Sequence, residues 1–181
     1  MKGRKPLTEP KIHQTNETDN PIQKNDSHEA SSSTKSPYQI EEVKTDKQMQ
    51  DALSVRRTVF IKEQQVPEEI EIDSHDRIGS ETIHFVVYKE EQAVGASRLR
   101  PYAPEVGKIE RVAVLQSERG TGLGRLLMLA MEETARRQGF KRLKLNAQTH
   151  AQRFYEKLGY TPAGEVFEEA GIEHIAMEKA I

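Results

Sequence analysis

Gln116-Ser117-Glu118-Arg119-Gly120-Thr121-Gly122-Leu123-Gly124 is the stretch whose residue types and spacing most clearly offer chemistry. It follows a strand-like run, Lys108 to Val114, and leads into a helix-like run, Leu123 to Gln138. A glycine-rich turn that opens a helix gathers backbone N–H groups beside the positive end of the helix dipole, and such a turn holds phosphate oxygens without a lysine. The expected ligand therefore carries phosphate. No Gly-Lys-Ser/Thr closes the turn, so it is not a nucleoside-triphosphate loop. The dinucleotide fingerprint fails as well: the spacing is Arg119-x-x-Gly122-x-Gly124, deep in the chain, and the next strand ends in Leu145-Asn146 rather than in an acid. The plainer alternative is a tight loop that needs glycine only for positive φ.

The elements that must position this loop are legible from Tyr38 onward. Tyr38 to Lys44 alternates as a first strand. Thr45 and Gln48 have capping-box spacing ahead of a helix marked by Met49, Ala52, Leu53, Val59 and Phe60. Arg56 lies on or near that apolar stripe, where a charge needs either a carboxylate partner or a cleft. Gln65 to Asp76 reads as an acidic loop without a clear period. Thr82 to Tyr88 and Ala93 to Leu99 read as a hairpin turning at Glu90-Glu91-Gln92, and Lys108 to Val114 as the next strand. Leu123, Leu126, Leu127, Ala130, Met131 and Ala135 form an apolar helical stripe that ends at Gly139. A short strand, Lys141 to Leu145, follows. Thr149 and Gln152 repeat the capping-box spacing before a short helix through Ala151, Phe154, Tyr155 and Leu158. Tyr160 to Val166 and Ile172 to Met177 close the chain as strands. The early strands imply antiparallel pairing, and the later β-α-β-α-β order implies parallel neighbours.

The 181 residues suffice for one domain with a full core and some additional length. The domain is expected over 38–181. Residues 1 to about 37, with Pro6, Pro10, Pro21, Pro37 and the run Ser31-Ser32-Ser33-Thr34, read as a disordered N-terminal extension, too poor in apolar side chains to offset the entropy of ordering. A formal net charge of −2 argues against a nucleic-acid or membrane binder. There is no cysteine, which excludes disulfides, thiolate nucleophiles and zinc–sulfur sites. The six histidines lack metal-ligand spacing, so no metal is expected. No apolar run spans a bilayer and no hydrophobic segment follows the N-terminal lysines, which makes a cytoplasmic location the expectation.

Two segments together resemble a known family. Arg119-x-x-Gly122-x-Gly124 is similar to the pyrophosphate motif of the GNAT acyltransferase superfamily. Asn146-Ala147 with Phe154-Tyr155-Glu156-Lys157-Leu158-Gly159-Tyr160 resembles the second cofactor-contacting segment of that superfamily. The likeness covers about residues 38 to 181. Arg56-x-x-Val59-Phe60, Glu71-x-Asp73-x-x-Asp76, His84, Gly95-x-x-Arg98, Lys108 to Val114 and Gly164-Glu165-x-Phe167-x-Glu169-x-Gly171-Ile172-x-His174 point further, to the ElaA/YjcF-like acetyltransferases. The implied fold is α+β, the GNAT acyl-CoA N-acyltransferase fold: a mixed, mostly antiparallel sheet of about seven strands flanked by helices.

The resemblance implies an N-acetyltransferase that moves an acetyl group from acetyl-CoA to an amine of a small molecule or lysine-like acceptor by direct attack. An alkylammonium with a pKa of about 10.4 must first lose a proton, and the departing thiolate benefits from gaining one. Glu110 is the expected base, acting through water, unless it is spent on a salt bridge with Arg111 or Lys108. Tyr155 is the expected acid toward the sulfur, unless it only packs beside Phe154. Cofactor contacts are implied for Val112, Ala113 and Val114, for Arg119, Gly120, Thr121, Gly122, Leu123, Gly124 and Arg125, and for Asn146, Gln152, Phe154 and Tyr155. Asn146 could instead cap the helix behind it, and Arg125 could simply be solvated. Arg56, Glu71, Asp73, His84, Arg98, Glu169 and His174 are candidates for the acceptor side; alternatively, Arg56 and Arg98 pair with the acids and close the loop. The other functional class compatible with these residues is a non-catalytic acyl-CoA-binding regulatory module. The superfamily's habit of exchanging strands leaves a homodimer open.

Overall fold

Thr45 caps the first helix as its spacing predicts. Its side-chain oxygen accepts from the Gln48 N–H at 3.2 Å, and Gln48 Oε1 accepts from the Thr45 N–H at 3.1 Å. The computed structural model describes residues 36–181; the expected N-terminal extension lies outside the described residues but for its last two positions. Within them the chain runs β1 (Gln39–Glu42), α1 (Asp46–Arg56), a π-helical turn (Arg57–Glu63), α2 (Glu68–Glu71), β2 (Ile83–Lys89), β3 (Gln92–Ala103) and β4 (Val106–Val114). Then come α3 (Leu123–Arg137), β5 (Arg142–Gln148), α4 (Gln152–Glu156), β6 (Thr161–Glu169) and β7 (Ile172–Ala180). Among the described residues no helix is long and apolar enough to cross a membrane.

Seven strands form one sheet in the order β1-β2-β3-β4-β5-β7-β6. Every neighbouring pair is antiparallel except β4 with β5. The expectation of several parallel neighbours late in the chain is therefore corrected: β7 slots between β5 and β6, so β5 and β6 never pair. Two other readings shift. The acidic loop contains the short helix α2. The second capping box does not form, because Thr149–Ala151 wind as a 3-10 turn and the Gln152 side chain donates to Glu156 Oε1 at 2.8 Å.

β3 outruns its expected end at Leu99 and continues through Pro101 to Ala103. Its pairing with β2 stops at Leu99, so Pro101, which has no N–H to donate, lies beyond the last β2 partner. The apolar side chains alternate between the two faces of the sheet. Phe85, Val87, Leu99, Ile109, Leu143, Leu145 and Met177 pack against Leu123, Leu127, Met128 and Met131 of α3. Val86, Ala96 and Ala113 pack against Ala52, Val55 and Val59 on the α1 side. The sheet is thus covered on both faces, and access to its interior depends on where its strands part.

Candidate active site

The strands part between β4 and β5. Their parallel ladder consists of Val106–Arg142, Gly107–Leu143 and Lys108–Lys144, and goes no further, although β4 runs on to Val114 and β5 to Gln148. The gap opens into a cleft of about 500 Å³. β4 contributes Lys108 to Val112 and Val114 to its lining; β5 contributes Leu145, Asn146 and Gln148. Tyr155 of α4, Glu169 and His174 line it too.

A β-bulge shapes the β4 wall. Ala96 pairs with Ala113 and Arg98 with Glu110, so β4 takes three steps where β3 takes two. Arg111, at φ 57°, carries the extra residue. The bulge falls among the β4 residues that line the cleft. The Arg111 guanidinium donates to the Ile70 carbonyl at 2.8 Å and lies 2.8 Å from Glu71 Oε2, which ties the bulge to α2 across the opening.

Beside the cleft mouth, Gly120 and Gly122 adopt φ of 81° and 89°, a left-handed conformation that side chains resist. Gly122 is the N-cap of α3 and no side chain caps the helix; the Leu123 N–H has only a long 3.4 Å contact with Thr121 Oγ1. The first-turn N–H groups are thus left without a strong acceptor. A Cβ on Gly124 would stand 3.3 Å from Phe154 Cζ, so glycine is what allows α3 and α4 to approach there. Arg119 joins loop to cleft: its Nε donates to the Val114 carbonyl at 3.1 Å and its guanidinium pairs with Glu63. A loop with positive-φ glycines, open N–H groups and a cationic rim fits a pyrophosphate.

Tyr155 lines the cleft and meets Phe154 edge-on, with ring centroids 4.9 Å apart. Burial pushes its phenol up to about 12, so the hydroxyl keeps its proton throughout the neutral range. Asn146 is in β5, not at a helix start, and donates to Glu169 Oε2 at 3.1 Å. His150 and Gln148 also line the cleft and were not among the expected site residues. Gln148 sits in the same strand as Asn146, two residues on, and that spacing was the available signal.

Glu110, the expected base, is held in ion pairs. Burial raises the proton affinity of its carboxyl, but hydrogen bonds from Arg100 and Lys108 and the charge of Arg98 outweigh that and hold it well below the usual carboxylate range. The contacts are close: Arg98 Nε at 3.0 Å, Arg100 Nη2 at 3.0 Å and Lys108 Nζ at 2.9 Å. Salt bridging was the expected alternative, with Lys108 correctly named; Arg98 and Arg100 take the place foreseen for Arg111.

The acceptor-side candidates divide. Glu71, Glu169 and His174 line the cleft, but Arg56, Asp73, His84 and Arg98 do not. These four are held in ion pairs and hydrogen bonds with Glu71, His75, Asp76, Glu110 and, for Arg98 and Asp73, each other. Arg56 donates to Glu71 Oε1 at 2.6 Å and to Asp76 Oδ1 at 2.6 Å, Arg98 donates to Asp73 Oδ2 at 2.7 Å, and His84 Nε2 donates to the His75 carbonyl at 2.9 Å. Arg56 and Arg98 are almost wholly buried, at 1% and 2% exposure. Their charges lock the 65–82 segment onto the sheet. Among the expected cofactor contacts, Val112, Val114, Arg119, Asn146 and Tyr155 line the cleft. Ala113 and Leu123 point into the core, and the Gln152 side chain is turned to Glu156. Thr121 accepts from the Tyr38 hydroxyl at 2.9 Å, and Arg125 is exposed.

A profile described as Acetyltransferase (GNAT) domain matches residues 36–181. The N-acetyltransferase YjcF of Bacillus subtilis, itself uncharacterized, is 45% identical over 137 residues, which are 75% of this chain and 95% of YjcF. The crystal structure of Escherichia coli ElaA superposes with a TM-score of 0.70 at 30% identity, covering 78% of this chain and 99% of ElaA. An acyl-CoA N-acyltransferase from Pseudomonas aeruginosa does so with a TM-score of 0.70 at 30% identity, covering 79% of this chain and 98% of that one. A parted β4–β5 pair, a bulged β4 and a glycine loop at the head of α3 stand together in a chain that belongs to the GNAT acetyltransferase family.

Proposed function

We propose that this protein transfers an acetyl group from acetyl-CoA to a primary amine, by direct attack inside the β4–β5 cleft. The observation that carries the reading is Tyr155: a phenol kept protonated by burial, in the wall of the cleft that opens where the β4–β5 pairing ends. Bound there, acetyl-CoA would supply the acyl group as a thioester, the activated form an amine can attack. The Gly120–Gly124 N–H groups with Arg119 would hold its diphosphate, and Asn146 its pantetheine arm. Val112 and Val114, around the bulge, are the backbone positions for an N–H that polarises the acyl carbonyl. Tyr155 donates the proton that the departing sulfur needs. Glu110 serves as an anchor for Arg98, Arg100 and Lys108, since a carboxylate held by three cations has little affinity for a further proton. A cytoplasmic setting, with free acyl-CoA, suits this chemistry.

Two measurements test the reading. Saturating acetyl-CoA should raise the melting temperature of the purified protein, because a ligand bound only to the native state must stabilise it. Tyr155→Phe should keep that stabilisation and lose about 10²-fold or more in amine-dependent thiol release, the scale of a general-acid contribution. An unmoved melting temperature would sink the cofactor assignment; wild-type turnover in Tyr155→Phe would sink the acid.

A further inference from the structure

We propose that His174 is the group that takes the proton from the acceptor amine. The inference rests on the acetyl-transfer reading above and supplies the base which that reading leaves open. His174 lies near the start of β7, opposite Gln148 in the β5–β7 register and opposite Phe167 in the β6–β7 register. His174 lines the cleft, and its ring stacks on Phe167 with centroids 6.0 Å apart and planes 25° apart. Its Nδ1 is 2.8 Å from the Ile172 carbonyl oxygen. A carbonyl can only accept, so Nδ1 carries the hydrogen. In the neutral ring the lone pair is therefore on Nε2, and Nε2 has no hydrogen-bond partner among the described residues. A backbone contact that fixes the tautomer, with the open nitrogen on a residue that lines the cleft, is the arrangement a proton acceptor requires.

The other charged groups of the cleft do not compete for this role. Lys108 and Arg111 of β4, with Glu110 and Glu71, are already ion-paired, and Arg119 pairs with Glu63. The titratable groups left unpaired around His174 are Glu169 of β6, His150 of the turn after β5 and Tyr155 of α4. Glu169 has no cation within 4 Å among the described residues and holds only the Asn146 amide, so it is the carboxylate that can face an incoming ammonium. Tyr155 already holds its proton.

The step balances as follows. The ammonium gives one proton to His174 Nε2, and the imidazolium passes it to solvent. The freed nitrogen lone pair forms the C–N bond to the acyl carbon, and the C–S bond breaks with its electron pair going to sulfur. Tyr155 protonates that sulfur. The second proton, lost as the amide forms, restores Tyr155. The products are an amide, a thiol and one released proton.

The test uses the full-length protein. Long-range ¹H–¹⁵N spectra should show a pyrrole-type Nδ1 and a pyridine-type Nε2 for His174 at pH 8, assigned by loss of those signals in His174→Gln. Thiol release from acetyl-CoA is then followed with ethanolamine, putrescine and Nα-acetyl-lysine. In wild type, kcat/KM should rise with pH along an ascending limb. In His174→Gln that limb should disappear and turnover near pH 7.5 should fall 10²-fold or more, with acetyl-CoA still raising the melting temperature. An Nε2–H tautomer, or a variant with wild-type turnover and an unchanged limb, overturns the assignment. Failure of acetyl-CoA to bind wild type, or no turnover of any of the three amines, overturns the transfer reading on which it rests.

Discussion

At the residue scale, the notable feature is how many charges this protein buries and how completely it pairs them. Arg98 reaches Asp73, Asp76 and Glu110 at 2.7 to 3.1 Å with 2% of its side chain exposed. Removing it takes a cation from Asp73, Asp76 and Glu110 at once, and leaves only Arg56 against Asp76 and Arg100 with Lys108 against Glu110. Arg98→Ala should therefore cost about 3–5 kcal/mol in urea unfolding, far more than a surface ion pair would. Salt should do little to mask the loss, since buried pairs are weakly screened. A cost below about 1 kcal/mol would mean that the acids rearrange into water. Arg56 shows what a sequence can and cannot disclose at this scale. A charge on an apolar helical stripe announces that it needs a partner. Which partners it finds, Glu71 and Asp76, 15 and 20 positions away, only the folded chain decides.

At the element scale, the glycine loop and the bulge divide the work of shaping the cleft. The loop is encoded locally: Gly122 holds φ at 89° because a left-handed N-cap is required where the chain enters α3. A Cβ at Gly122 would touch nothing within 4 Å, so the cost of Gly122→Ala is that of the backbone alone, about 1–2 kcal/mol. The same change should weaken acetyl-CoA binding by more than this stability loss accounts for, because it re-aims the N–H groups around the turn. Calorimetric titration together with thermal melting would separate the two effects, and unchanged affinity would show that these amides do not hold the diphosphate. The bulge, by contrast, has no local signature. Arg111 takes a positive φ without being glycine, and its side chain is held by carbonyls about 40 positions earlier in the chain. Capping boxes teach the same lesson: Thr45–Gln48 forms, but Thr149–Gln152 does not, because the chain leaves β5 in a 3-10 turn that puts Thr149 inside the turn rather than ahead of a helix.

At the scale of the whole molecule, pH should act on stability in two stages. His84 is buried; desolvation lowers its affinity for a proton, against smaller upward pulls from the His75 carbonyl and Asp76. The unfolded chain binds that proton more readily. The stabilisation from neutral His84 is thus complete above the ordinary imidazole value of 6.5 and is lost as pH falls below it. Asp76 adds a second stage. Burial raises its carboxyl, but Arg56 more than compensates and brings it to about 2 from an ordinary 3.8. Its stabilisation is present above the unfolded value and lost as pH falls toward 2, with Asp73 and Glu110 acting in the same direction. Glu71 works the opposite way: burial raises its carboxyl despite Arg56 and Arg111, so it partly offsets the second stage. Urea unfolding should show stability falling between pH 7 and 5 and falling again below about 4, and His84→Gln should remove the upper stage only. A flat profile between pH 7 and 5 in the wild type would contradict the neutral, buried imidazole.

What the sequence determined by itself is whatever a few consecutive residues can specify: the Thr45 cap, the α3 stripe, the glycine turn before it and the order of strands and helices apart from α2. Those depend on backbone hydrogen bonds and apolar periodicity that close within one or two turns of chain. The tertiary structure decided the rest. It placed β7 between β5 and β6, parted β4 from β5 after three residue pairs, and set Arg98 and Arg100 against Glu110, the expected base. A carboxylate's proton affinity and a cleft's walls are set by neighbours in space, and here those neighbours come from strands that meet only once the sheet has formed.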